Sequence, residues 1–177
     1  AIDTVLLHDD DLGTTYTSGI LDTGVDVVTG FIPTNGKDTV ELDISALEAL
    51  TNVTDLVRVG DGASITTASA SVVLDGGTGA TNMDNEVTAS VLLLNAAPLT
   101  IAALQTALES GGDNAVTHNG AFAVGDAYLV VADDSINSAL FLIIVGGNGI
   151  ADNEAAADGE LTAVKLLTYA SFQTAEN

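Results

Sequence analysis

Hydrophobic and polar positions along the chain fall mostly into short runs with a period of two, which predicts strands. Ile2 to Leu7 alternates weakly and breaks at His8-Asp9-Asp10-Asp11-Leu12-Gly13, a strand followed by a loop. Val25 to Phe31 and Thr39 to Ile44 are β-branched runs bounded by Gly, Pro and Asn-Gly, and read as successive strands. From Ala63 to Leu74, Ser, Thr and Ala alternate with Ile and Val; a Gly-rich bend follows, then a further strand from Val87 to Asn95. Tyr128 to Ala132 and Leu140 to Val145 bracket the polar stretch Asp133 to Ser138, the pattern of an antiparallel hairpin with Asp133 and Asp134 in an exposed connection. Ala139 to Val145 is apolar throughout. It predicts a strand covered on both faces, with Phe141, Ile143 and Val145 on one side.

Two segments break the period of two. Pro98 to Glu109 carries Ile101, Leu104 and Leu108 at helical spacing and stops at Gly111-Gly112, which predicts a helix buried along that face. Ser45-Ala46-Leu47-Glu48 has the form of a capping box, opening a short helix that ends by about Asn52. Leu161 to Tyr169 fits a strand or a short helix equally well. The fold class expected is mainly β, a β-sandwich or β-roll-like arrangement with one or two short helices. A boundary near residues 45–62 would divide it into an acidic β segment, 1–50, and a β-rich region, 51–177.

Composition changes the picture through charge. Of 177 residues, 47% are hydrophobic, enough for a folded core, yet 25 are acidic and only 3 basic, a net charge of −22. Lys37, Arg58 and Lys165 cannot neutralise that field, so cations from solution must. Such a surface repels nucleic acid and anionic lipid. Cysteine is absent, which excludes disulfides and thiolate zinc sites and fits an extracellular protein held by packing or oxygen-ligated ions. No apolar run approaches the roughly 20 residues of a membrane helix, and no secretory leader opens the chain. Because it begins at Ala1, the chain reads as a processed product or a piece of something longer.

Catalytic patterns are sparse. His8 and His118, flanked by polar loop residues, read as surface residues, and there is no nucleophile elbow, phosphate-binding loop or dinucleotide fingerprint. The expectation is a non-enzymatic protein. Calcium fits better, because hard cations take six to eight oxygens and Gly-rich turns let carbonyls converge. Asp22 and Asp26 lie either side of Gly24, close enough to reach one ion, while Asp38 and the run Asp9, Asp10 and Asp11 could complete a neighbouring site. The alternative is that these acids form the solvent face of a strand. The bends Gly76 to Thr81 and Gly146 to Asp152 read either as ordinary turns or as further carbonyl donors.

The stretch GVDVVTGFIPTNGKDTVELDIS, Gly24 to Ser45, resembles the segment GxDxIxDFxxGxDxIDLS that closes the calcium-filled β-roll of secreted RTX proteins of Gram-negative bacteria. Gly24, Asp26, Val28, Phe31, Gly36, Asp38, Val40, Leu42 and Ile44-Ser45 fall in its order. The resemblance implies calcium-facing roles for Asp26 and Asp38. The text of AALQTALESGG, GDAYLVVADD and LTYASF is similar to C-terminal regions of type I secreted surface proteins, including S-layer proteins. What these resemblances imply is a secreted or cell-surface, calcium-stabilised structural subunit that associates with copies of itself. The alternative is a C-terminal secretion and folding module of a larger RTX adhesin or hydrolase.

Overall fold

A computed structural model describes residues 4–7, 27–28, 39–42, 44–65, 72–75, 79–83 and 89–170. The elements run β1 (Thr4–Leu7), β2 (Val27–Val28), β3 (Thr39–Leu42), α1 (Ile44–Glu48), β4 (Asp55–Leu56), β5 (Val72–Asp75) and β6 (Thr81–Asn82). They continue with β7 (Ala89–Asn95), α2 (Ile101–Leu108), β8 (Val116–Thr117), β9 (Asp126–Asp133), β10 (Asn137–Val145) and β11 (Leu161–Ala170). The fold is mainly β, and its sheets are open.

The main sheet has the order β2-β11-β10-β9-β7-β5. Strand β10 is antiparallel to both its neighbours, whereas β2 with β11, β7 with β9 and β5 with β7 are parallel pairs. On the edge of β9 away from β10, β4 pairs with Asp126 and Ala127 and β7 takes over from Leu129 to Asp133. Two small parallel pairs, β1 with β3 and β6 with β8, lie outside this sheet.

Alternation along the central strands splits the core into two layers. Tyr128, Val130, Ala139, Phe141, Ile143 and Val145 face one cluster, which α2 closes with Ile101, Leu104 and Leu108. Leu129, Val131, Leu140, Leu142 and Ile144 face the other, covered by Leu47 of α1 and Leu56 of β4. Strand β10 is therefore buried on both sides, as its unbroken apolar run predicts. At about 1.5–3 kcal/mol for each large apolar side chain buried, these two layers are the main stabilising term.

Helix α2 begins later than expected: Pro98 precedes it, and Thr100 in extended conformation is its N-cap. Its end is tied to the first residue of β11. Gln105 Nε2 donates to the Leu161 carbonyl at 2.8 Å, and Glu109 Oε1 accepts the Gly159 and Leu161 amides at 3.0 and 3.2 Å. The capping-box expectation is corrected. Ser45 lies inside α1, which starts at Ile44, and Glu48 Oε1 accepts the Leu56 amide instead, at 3.4 Å.

The segment from Leu161, left open between helix and strand, is a strand, and its ambiguous spacing has a cause. Leu140 pairs with Leu167 and Phe141 with Lys165, so Leu166 is an extra residue bulged out of the ladder. Leu161 and Ala163 face the α2 side, but Val164, Leu166 and Leu167 all face the other. A bulge re-phases a strand, and the resulting pattern fits neither period.

Candidate functional site

The residues assigned to calcium from the sequence, Asp9, Asp10, Asp11, Asp22, Asp26 and Asp38, lie outside the described residues, as does His8. Among the described residues no three His, Asp or Glu side chains gather in an arrangement able to hold a metal ion. The bend from Gly146 to Asp152 is a tight turn closed by the Gly149 amide on the Gly146 carbonyl at 3.0 Å. Its flanks are pinned, by the Gly146 amide on the Glu160 carbonyl at 2.7 Å and by mutual bonds between Ile150 and Phe122.

Acids in the described region are held chiefly by backbone amides. Asp134 Oδ1 accepts the Ile136 and Asn137 amides at 2.9 and 2.7 Å, while Asp133 Oδ1 accepts that of Ser135 at 2.7 Å and Oδ2 the Ser138 hydroxyl at 2.5 Å. Asp133 is fully buried, which corrects the expectation that both acids are exposed; only Asp134 is. Alternation along β9 turns Asp133 inward, and the amide and hydroxyl replace the water it gives up.

Where β4 meets β9, Asp55 lies opposite Asp126. Asp55 accepts a hydrogen bond from Ser64, and Asp126 accepts the Ala123 amide at 2.7 Å. Partial burial raises the Asp126 carboxyl above the usual carboxylate range, against the lowering effect of the Ala123 amide, and the nearby Asp55 charge adds to the rise. Beyond this pair, at the end of the sheet, an open depression of about 250 Å³ is lined by Asn52, Val124, Gly125, Ile144, Gly146 and Thr162.

The least expected group is His118. Polar neighbours in sequence read as a surface loop, but β8 carries the chain inward and His118 is 1% exposed. Its ring lies 4.4 Å from that of Phe122 and 5.2 Å from that of Tyr128, centre to centre. Nδ1 lies 3.4 Å from the Val59 carbonyl, so the proton belongs on Nδ1. Among the described residues, His118 Nε2 and the Tyr128 hydroxyl are buried and find no hydrogen-bond partner. Burial pulls the imidazole down to about 4, against the Val59 contact, and pushes the Tyr128 phenol up, with the Glu109 charge adding to that rise. Tyr128 was legible only as part of a strand, and the burial of His118 was not legible, because the contacts that bury it come from residues distant in sequence.

No family model, curated protein or solved structure matches the chain.

Proposed function

We propose that the protein is a non-enzymatic structural subunit of a calcium-stabilised extracellular assembly, a surface layer, sheath or filament formed with copies of itself at the cell surface. The observation that supports this most directly is charge compensation. Arg58 is committed to Asp61 at 2.5 Å, and Lys165 Nζ lies 5.5 Å from the centre of the Phe141 ring. With a net charge of −22, the remaining acids need cations from solution. A divalent ion with oxygen ligands both neutralises one acidic surface and bridges it to another, and the sequence of the RTX-like stretch from Gly24 to Ser45, with Asp26 and Asp38 each two residues after a glycine, supports such a ligand. Repulsion between copies is then the resting state and calcium the trigger for association.

Sedimentation of the purified chain tests the assembly. In millimolar calcium it should move as large ordered particles, and in chelator as a small species. A chain that stays monomeric in calcium contradicts the subunit reading and favours a secretion and folding module.

A further inference from the structure

His118 sits where two segments, residues 116–122 and 150–156, are laced together over the face of the sheet that also carries α2. Its amide donates to the Glu154 carbonyl at 3.0 Å and its carbonyl accepts the Asn153 amide at 2.9 Å. Phe122 and Ile150 exchange bonds of 2.8 and 2.9 Å, and Thr117 bridges Ala155. Val116, Phe122, Ile150 and Ala156 then pack on Tyr128, Val130, Phe141 and Ile143. The ring of His118 fills the middle of this strap.

The neutral ring fits that place and the charged one does not. With its proton on Nδ1 toward Val59, Nε2 presents a lone pair to an apolar, aromatic wall. Protonation would turn Nε2 into a buried charged donor with no acceptor in reach among the described residues. The charged and titratable groups on the described elements around it offer little relief. Arg58 and Asp61 pair with each other, the Glu154 side chain is exposed, Tyr128 is neutral, and Glu109 Oε1 is taken by two amides of the β11 entry. The Phe122 and Tyr128 rings offer only a weak cation–π contact against the loss of hydration.

We infer that His118 is an acid-responsive latch, whose protonation releases the strap of residues 116–122 and 150–156 from the sheet. The sign follows from proton binding. An opened strap exposes an ordinary imidazole that takes up a proton near pH 6.5, while the closed strap refuses it until about pH 4. Closure is therefore favoured fully above pH 6.5 and loses ground as pH falls toward 4. Between pH 7 and 4.5 the opening equilibrium should rise roughly fifty-fold.

The test is carried out on the full chain. The imidazole resonances are followed by NMR from pH 8 to 4, with His8→Asn used to assign the signal of His118, which should titrate near 4. Amide exchange, corrected for intrinsic rates, should show the Phe122, Ile150 and Asn153 amides opening roughly fifty-fold more at pH 4.5 than at pH 7. Amides of β9 and β10 should change much less. His118→Phe keeps a ring in the wall and should abolish the acid response; if it does not fold, His118→Gln serves. An imidazole titrating near 6.5 with the strap closed, strap exchange that ignores pH, or equal opening of β9 and β10 overturns the latch. So does an undiminished acid response in the variant.

Discussion

At the residue scale, the described carboxylates behave as acceptors for the chain's own amides. Asp133 shows what this is worth. Asp133→Ala would remove the carboxylate that accepts both the Ser135 amide and the buried Ser138 hydroxyl at the base of the hairpin connection, at a cost of about 1–3 kcal/mol, against about 1 kcal/mol for Ser138→Ala, which removes one of those bonds. Urea denaturation of the two variants should give that order, and equal effects would show that the carboxylate is not the organising group. Two glycines offer a second comparison. Gly149 and Gly159 both have φ near +80°, but a Cβ at Gly149 would meet the Phe122 carbonyl oxygen at 2.5 Å, whereas at Gly159 nothing lies within 4 Å. Gly159→Ala should cost about 1–2 kcal/mol for its left-handed backbone alone. Gly149→Ala should cost more and loosen the pairing of Phe122 with Ile150. Similar losses in both variants, measured by thermal melting, would count against the close approach.

At the element scale, helix α2 and the β9–β10 hairpin were legible because their periods are strong and their contacts local. Leu104 is fully buried between α2 and the sheet, so Leu104→Ala should cost about 2–5 kcal/mol, while Ile136→Ser at the hairpin tip should stay within about 0.5 kcal/mol, since Ile136 is 73% exposed. Denaturant midpoints for the pair check both ends of that contrast. Other elements were hidden for physical reasons. Strands β4, β6 and β8 have two residues each, too few for any period, and exist because a distant strand supplies the partner. The parallel pairing of β7 with β9 across α2 leaves no turn signature of the kind that marks a hairpin. The bulge at Leu166 mixed two phases in one strand, and His118 and Glu109 gave no local sign that remote segments would bury them.

At the scale of the whole molecule, a well-packed two-layer core carries a charge that its own cations cannot balance. Packing stabilises the chain in any salt, but repulsion among 25 acids opposes both the folded state and the approach of a second copy. The candidate ligands Asp22, Asp26, Asp38 and Asp9 to Asp11 lie outside the described residues, so the sequence alone bears on them. An ion that binds the folded chain and not the unfolded one raises the melting temperature by mass action, and more so as its concentration grows. The most direct measurement is a thermal melt in chelator, in millimolar calcium and in magnesium at equal ionic strength, repeated with Asp26→Asn. Calcium should raise the midpoint well beyond magnesium, and Asp26→Asn should remove much of that difference. A midpoint that calcium does not move, or that magnesium raises as far, would contradict calcium stabilisation and leave the acids as a solvated face.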